Sequence, residues 1–476
     1  MPTINLDQKG ITKDGPEFNA IANNLQSNIL KSHSRDNARL LFLKFTASKM
    51  EISNWVSGFI NQQKFVVSAK DQQEDSAIHK QTGQDSKTVA NFYLSARGYE
   101  HLEKNPKDFT DGNMDNEEDE NDEDEKAIAS CANNDFVRGM KSARVKKRLK
   151  DPELNEWEQA YNTDIDAMIL LADDNETTLI AETGILKTLL VGIAEIVKEE
   201  IGKNLTALFG AGKRNIEHFG YADGISQPTF FKDGDLSSPD ALQPLDIILV
   251  KDPFTNEEDN NYGSFLVYRK LAQDIDGFNN KVAELAANLQ LNTQQEGQIS
   301  KEDFAGALAV GRFKDGTPLI KSDVPLGEFP AFNNFKYEDT DRPAHKCPFH
   351  AHIRKSNPRG QGLLVGKRFI TRRGIPYGRR DADGEKGLLF MCFQSNLKRQ
   401  FNFIQKTWAN APGFPPFRGK PGIDPLIGQG NNGEQSWPKE YGSSDEIEFN
   451  FAGFIKMMGG EYFFAPSIGF LKNMAG

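Results

Sequence analysis

Cysteine is scarce in this sequence: 476 residues contain only three, Cys131, Cys347 and Cys392. Three cysteines so far apart cannot form a disulfide framework, and their number is typical of a reduced, intracellular protein. The amino-terminal residues are polar and acidic, without the basic segment and apolar core of a signal peptide. The sequence therefore predicts a cytoplasmic protein.

Long apolar runs and an excess of basic residues are also missing. The longest apolar stretch, residues 185–197, is interrupted by Lys187, Gly192 and Glu195, which argues against a membrane span. Lysine and arginine number 57 against 68 aspartates and glutamates, so the net charge is −11. Proteins that bind nucleic acid normally carry a basic face. We therefore expect neither a membrane nor a nucleic acid as partner.

Phenylalanine, in contrast, is abundant, with 34 residues against 10 tyrosines and 4 tryptophans. It provides large apolar area without a polar tip, which suits a deep dry pocket and equally an ordinary core.

A chain of this length exceeds one typical core. Strand-like segments (38–45, 166–174) alternate with helical periodicity (48–63, 178–205), and the second half repeats this order with strands at 264–271 and 387–396. We predict two α+β units, residues 1–215 and 216–476, with an exposed acidic loop at 111–126.

Histidines cluster in the segment AHKCPFHAHIRKSNPRG, residues 344–360. His345, Cys347, His350 and His352 are all residue types that zinc accepts, but their spacing is poor for four ligands on a helix. A second interpretation is that one histidine is the axial ligand of a haem iron. A third is that all are exposed loop residues. The sequence lacks the CxxCH motif of covalently attached haem.

Two further segments carry a carboxylate and a guanidinium in unusual surroundings. In EHFGYADGISQP, residues 217–228, Asp223 lies on a glycine-flanked turn among aromatic residues. It fits an ordinary turn, or a carboxylate that moves protons. In FITRRGIPYG, residues 369–378, paired arginines follow an apolar strand. A fixed guanidinium there would either form a surface ion pair or stabilise developing negative charge.

Together these segments resemble the dye-decolourising (DyP-type) haem peroxidases. GYADG matches that family's GxxDG motif, AHIRKSNPRG its proximal-histidine segment and TRRGIPYG its distal-arginine segment. The downstream blocks GLLFMCFQSNLKRQFNFIQKTWAN and GIDPLIGQ are also similar. The resemblance is specific from about His218 onward, and the length and acidic insertion are typical of the longer members. It implies a pair of ferredoxin-like α+β units of the dimeric α+β barrel type, with haem b in the C-terminal unit.

The resemblance also implies site residues. His352 resembles the axial ligand of the haem iron, and Asp424 its acidic hydrogen-bond partner. Asp223 and Arg372 match the catalytic pair, with Arg373 the weaker candidate of the two arginines. The remaining cofactor contacts implied are Arg354, Arg359, Leu389 and Phe390.

The function implied is a peroxidase that reduces hydrogen peroxide and oxidises dyes, phenols or similar aromatic electron donors. Large donors cannot reach a buried iron, so Trp408 and Tyr377 are candidates for an electron route to the surface, although ordinary packing is the favoured explanation of each. The alternatives are a haem carrier without catalysis and a zinc hydrolase that uses the His345–His352 cluster. A homo-oligomer is possible.

Overall fold

The chain is described by a computed structural model that covers residues 4–61, 65–109, 135–210, 212–234, 241–256, 260–327, 333–360, 366–416, 421–430 and 433–475. The predicted acidic loop at 111–126 lies outside the described residues. Within them, no helix is both long and apolar enough to cross a membrane.

Strands make up the centre of the molecule. They are β1 (Asn37–Phe45), β2 (Val89–Leu94), β3 (Ala167–Asp173), β4 (Ala194–Lys203), β5 (Leu205–Phe209), β6 (Gly212–Ile216), β7 (Val250–Lys251), β8 (Tyr262–Gln273), β9 (Thr371–Arg372), β10 (Ile375–Tyr377), β11 (Gly387–Gln394), β12 (Gln435–Pro438), β13 (Glu446–Phe449) and β14 (Ile455–Ala465).

Helices pack around these strands. They are α1 (Pro16–Ile21), α2 (Lys49–Asn61), α3 (Ala69–Thr82), α4 (Ala96–His101), α5 (Asp135–Arg138), α6 (Ala143–Leu149), α7 (Glu176–Leu189), α8 (Ile275–Ala286), α9 (Lys301–Val310), α10 (Tyr337–Thr340), α11 (His352–Ser356), α12 (Phe401–Phe403) and α13 (Ile468–Lys472). A π-helical turn, Ile404–Ala409, continues α12. Short 3-10 turns cover Pro106–Asp108, Leu154–Glu156, Gln159–Asn162, Leu245–Ile247 and Gly366–Arg368.

Eight of the strands close into an antiparallel barrel made of two similar halves. The first half has the strand order β4-β1-β3-β2 and the second β14-β8-β11-β10. In both, the fourth strand in sequence lies beside the first, and the third lies between the first and the second, as in ferredoxin-like folds. The halves meet where Leu94 pairs with Phe464 and where Gly202 pairs with Tyr377. The predicted fold, two ferredoxin-like α+β units of the barrel type, is confirmed.

The barrel interior is filled by aromatic rings from both halves. Phe42 of β1 contacts Tyr268 of β8 and Phe463 of β14, with ring centroids 4.7 and 6.3 Å apart. All three side chains are buried, although β1 neighbours neither β8 nor β14 in the sheet. Burying such rings contributes roughly 1.5–3 kcal/mol each. This shared core therefore joins the two units, and the predicted division near residue 215, between β4 and β8, stays a prediction.

The chain's leading segment reaches across to the second unit. Lys9 bridges to Pro244 and Ile11 to Phe231, and the Ile11 amide donates to the carbonyl of Phe230 at 2.8 Å. We call residues 4–13 the leading strap.

The helix predicted across residues 178–205 is wrong in its second half. The helix α7 ends at Leu189, and Gly192 has φ +79°, which turns the chain out of the helical path. The ten residues of β4 follow after Ile193, and the strand pairs with β1 from Ala194 opposite Phe45 to Lys203 opposite Asn37. Apolar residues in this segment fit either periodicity, and the distant partner strand decides between them.

The segment that carries the histidines is positioned by its packing against the end of helix α9. The helix α9 begins with a capping box between Ser300 and Asp303 and ends at Gly311, whose φ is +91°. A Cβ at Gly311 would collide with the side chain of Ile353 in α11. Glycine thus allows α11 to pack closely against the end of α9.

Candidate active site

A cavity of about 790 Å³ lies in the second unit. Apart from Lys9 of the leading strap, the described residues that line it all come after Ile216. Its volume is within the range of ligand pockets, about 300–1,000 Å³. Much of its wall is apolar and includes Val310, Phe335, Ile353, Leu388, Phe390, Phe401, Ile404, Trp408, Leu426 and Ile427.

A histidine with a buried carboxylate partner stands in this wall. His352, the first residue of α11, lines the cavity, and its side chain is 25% exposed. Its Nδ1 lies 2.9 Å from Oδ2 of Asp424, whose side chain is completely buried. Asp424 Oδ1 accepts the amides of Leu426 and Ile427 at 2.8 and 3.0 Å. The carboxylate is therefore fixed by three donors.

The charge of Asp424 decides which nitrogen of His352 carries the proton. Burial alone would raise the pKa of Asp424, but the nearby charge of His352, its hydrogen bond and the two amides bring that pKa below its usual value. An ionised carboxylate only accepts, so Nδ1 of His352 donates to it. The Nε2 lone pair is then available to a metal ion in the cavity.

An aspartate and an arginine form a second polar group on the wall. Arg372 Nη1 donates to Asp223 Oδ1 at 3.1 Å, and both side chains are one-third exposed. Arg372 Nη2 also donates to the Ser226 carbonyl at 3.2 Å, and its amide donates to Gln227 at 3.1 Å. Asp223 Oδ1 accepts the Gly224 amide as well. Both residues line the cavity.

The neighbouring arginine points elsewhere. Arg373 Nε and Nη2 donate to the carbonyls of Asn28 and Ile29 in the first unit, and its side chain is buried. The pair of arginines is therefore divided, with Arg372 on the cavity and Arg373 between the units. Arg359 also lines the cavity, where its guanidinium lies 4.2 Å from the centre of the Phe335 ring.

Three of the residues predicted to bind the cofactor do not line the cavity: Asp424 lies behind His352, and Arg354 and Leu389 are buried elsewhere. Arg354 is buried between the rings of Tyr337 and Phe349, at 4.4 Å from each, and its Nη1 donates to Asp341 at 3.0 Å. Leu389 is also buried in the main core rather than facing the cavity. Alternation along β11 directs its two neighbours, Leu388 and Phe390, into the cavity instead.

The zinc cluster considered as an alternative is not formed. Among the described residues, which include all four candidate ligands, no three histidine, cysteine or acidic side chains are grouped as a metal site requires. The His350 ring is buried against Trp437, and burial lowers its pKa to about 3. Burial raises the pKa of the Cys347 thiol to about 12. A zinc hydrolase is therefore not supported.

The two aromatic residues considered for electron transfer differ in position. Trp408 lies on the π-helical turn, lines the cavity and stacks on Phe414 at a centroid distance of 5.4 Å. Tyr377 does not line the cavity. Its hydroxyl donates to Glu385 at 2.9 Å, and the Lys270 ammonium lies 4.6 Å from its ring centre.

Sequence reasoning missed several cavity residues, among them Glu217, Arg312 and Leu388. Glu217 accepts the amides of Phe219 and Tyr221, and burial, with the nearby charge of Asp223, raises its pKa. Arg312 is buried, which lowers its pKa to about 9. Leu388 could have been found from the period of two in β11, since Phe390 was assigned, but no local signal marks Arg312.

Comparisons with known proteins identify the family of this chain. Residues 229–413 match the family model described as Dyp-type peroxidase, C-terminal. A multifunctional dye peroxidase from Amycolatopsis sp. is 36% identical, over 94% of this chain and 95% of its own length. The chain belongs to the DyP-type peroxidase family. It is therefore a peroxidase.

Solved structures of DyP-type peroxidases share the whole fold. The enzyme from Anabaena sp. superposes with a TM-score of 0.85 at 39% identity, covering 99% of this chain and 98% of its own. The Amycolatopsis enzyme superposes with a TM-score of 0.84 at 34% identity, covering 98% of this chain and all of its own. DyP-type peroxidases in general depend on haem. The apolar walls, the imidazole with its carboxylate partner and the guanidinium of Arg359 are chemically suited to a porphyrin that carries carboxylates.

Proposed function

We propose that this DyP-type peroxidase holds haem b in the cavity, reduces hydrogen peroxide and oxidises dyes, phenols or similar aromatic donors. The observation that carries the proposal is that one apolar cavity is lined both by His352, backed by Asp424, and by the Asp223–Arg372 pair. The bound haem supplies the iron at which the peroxide oxygen–oxygen bond breaks and through which electrons from the donors pass. The names of the relatives support the class of donors.

His352 is the residue that would hold the iron. Nε2 would bind the iron, and Nδ1–H donating to the ionised Asp424 makes the imidazole a stronger electron donor. The buried position of Asp424 also fixes the orientation of the ring. Arg359 is suited to pair with a propionate, because its guanidinium lines the cavity.

Asp223 is the residue that would move the proton. Oδ1 is occupied by Arg372 and by the Gly224 amide, and no described residue donates to Oδ2. We assign to Oδ2 the role of taking a proton from one peroxide oxygen and returning it to the other, which leaves as water. Arg372 stabilises the negative charge that develops on the departing oxygen. Two electrons from two donors and two further protons complete the reduction of each peroxide to two waters.

Bulky donors need an indirect route for their electrons. Trp408 lines the cavity and packs in a stack with Phe414, so we propose it as a relay between the cavity and large donors. Tyr377 is a weaker candidate, because it does not line the cavity. Assembly into a homo-oligomer stays a prediction.

A visible spectrum of the purified protein, before and after addition of hydrogen peroxide, tests the proposal. We expect an intense Soret band that changes with peroxide and returns when a phenol or dye is added. A haem carrier would give the band without the change. The proposal would be contradicted if the protein, after incubation with haem and removal of the unbound haem, showed no Soret band.

The axial ligand is tested with matched histidine variants. His352→Ala removes the Nε2 ligand, so we expect it to lose haem on gel filtration and to lack peroxidase activity. His345→Ala, seven residues earlier and outside the cavity lining, is the control and should retain both. Equal haem retention in the two variants would refute the assignment of His352.

A further inference from the structure

A buried lysine lies in the same short helix as His352. Lys355, three residues further along α11, is completely inaccessible to solvent. Residues three apart on a helix share one face, so both side chains extend on the same side of α11. A fully buried ammonium is costly unless its donors are satisfied.

The ammonium of Lys355 is satisfied by backbone oxygens alone. Nζ donates to the carbonyls of Ala411 at 2.9 Å, of Phe414 at 2.8 Å and of Gly422. Lysine has three N–H donors, and each has one acceptor here. Among the described residues, no carboxylate forms an ion pair with Lys355. We call this arrangement the carbonyl clamp.

The carbonyl clamp holds together the loop that ends at Asp424. Ala411 and Phe414 lie on the outgoing arm of this loop, and Gly422 lies on the returning arm two residues before Asp424. The arms are otherwise joined by backbone bonds, from Gly422 to Pro412 at 3.0 Å and from Asp424 to Ala409 at 2.9 Å. The ammonium is therefore a bridge between the helix of His352 and both arms of the loop that carries its hydrogen-bond partner.

We propose that Lys355 is a positioning residue whose ammonium fixes this loop so that Asp424 Oδ2 stays on Nδ1 of His352. The proposal rests on the function proposed above, in which His352 binds the iron. The carbonyl clamp also holds Phe414, on which Trp408 stacks. One cation thus orders the partner of the ligand and an aromatic wall of the cavity.

The reduction potential of the haem-loaded protein separates this role from a simple charge effect. Loss of a positive charge near the iron would by itself favour the ferric form and lower the potential. Loss of the Asp424 hydrogen bond weakens the imidazole as a donor and raises the potential. If Lys355 acts through Asp424, Lys355→Met raises the potential. The sign of the change in potential therefore distinguishes the positioning role from the charge effect.

A double-mutant cycle tests the coupling. We expect Asp424→Asn and Lys355→Met each to raise the midpoint potential, the latter by no more than the former. In the Asp424→Asn background, Lys355→Met should cause no further rise, since the interaction is already lost. Lys346→Met, which removes a partly exposed lysine of the same segment, is the control and should leave the potential unchanged.

The apoprotein gives a readout that does not depend on haem. With ¹⁵N-labelled histidine, the Nδ1 proton of His352 should be observed in the parent, protected from exchange by Asp424. It should be lost or broadened in both Asp424→Asn and Lys355→Met.

Should Lys355→Met fail to fold, Lys355→Gln is the second variant. It retains two N–H donors for the loop carbonyls, and we expect a smaller shift of the midpoint potential with the same sign.

The outcomes distinguish the two proposals. A rise in potential in Asp424→Asn combined with no change, or a fall, in Lys355→Met would overturn the role of Lys355 alone. An unchanged potential in Asp424→Asn would overturn the assignment of His352 and Asp424 as ligand and partner, and the role of Lys355 with it. A rise of the potential in both single variants supports the positioning role if Lys355→Met causes no further rise when it is added to Asp424→Asn.

Discussion

Replacing Asp223 with asparagine changes one atom of the cavity wall and leaves its shape intact. The asparagine oxygen can still accept from Arg372 and from the Gly224 amide, as Oδ1 of Asp223 does. The NH₂ group then stands in place of Oδ2, and it cannot accept a proton. The variant therefore removes the proposed base with little other change.

The size of the effect follows from the chemistry and the exposure. A positioned general base contributes about 10²–10⁴-fold in rate, or roughly 3–5 kcal/mol of barrier. Asp223 is one-third exposed, so water can replace part of its function. We therefore expect the reaction with peroxide to slow by roughly 100- to 1,000-fold. Folding stability should change by about 1 kcal/mol at most, because the ion pair with Arg372 is partly solvated.

Stopped-flow absorption measures the reaction directly. The change of the Soret band is followed at fixed pH over a range of peroxide concentrations, and the slope gives the bimolecular rate constant. Asp381→Asn, which breaks an exposed aspartate–arginine pair with Arg379 outside the cavity, is the matched control and should react at the parent rate. An Asp223→Asn enzyme that reacts at the parent rate would refute the assignment of the base. Arg372→Leu, measured beside it, shows whether the guanidinium contributes more than the carboxylate.

Two further predictions concern Trp408 and His33. Trp408→Phe should depress turnover of bulky dyes and spare that of small phenols, which do not need the proposed relay, and equal losses would remove Trp408 from the route. His33 is buried, and burial with the charges of Arg35 and Arg373 lowers its pKa from 6.5 to about 3. Below pH 6.5 the unfolded chain binds a proton that folded His33 does not, so stability falls by about 1.4 kcal/mol per pH unit. Between pH 6.5 and 4.5 the parent apoprotein should therefore lose about 2 kcal/mol more of its unfolding free energy than His33→Asn in chemical denaturation, and equal losses would contradict the lowered pKa of His33.

The parts of the fold that local patterns predict are those with clear alternation or strong motifs. The strands at 38–45 and 264–271 were predicted because apolar residues with distinct ends mark them, and β1 and β8 confirm them. The barrel closes through single residue pairs, such as Gly202 with Tyr377. The sequence around these residues contains no pattern from which the pairing could be predicted. Likewise β4 was predicted as helix, because its partner β1 lies about 150 residues earlier in the chain.

At the site, the sequence motifs predicted the main polar residues of the cavity wall more accurately than they predicted the residues around them. His352, Asp223 and Arg372 all line the cavity, and Asp424 backs the first of them. Arg354 was expected to contact the cofactor because of its place in the motif, yet its direction depends on the rings of Tyr337 and Phe349 and on Asp341. Which side of a strand or helix faces a cavity is set by packing against distant residues, which a motif does not record.

The leading strap has a consequence for engineering by recombination. A chimera that exchanged the first unit at residue 215 would bring in a foreign strap together with it, although Lys9 borders the cavity and Ile11 is hydrogen-bonded to the other unit. The exchange would thus alter the cavity lining at Lys9 and break the bridges to Phe231 and Pro244. Crossovers should instead keep residues 4–13 together with the parent sequence that supplies the second unit, from which almost all described cavity residues come.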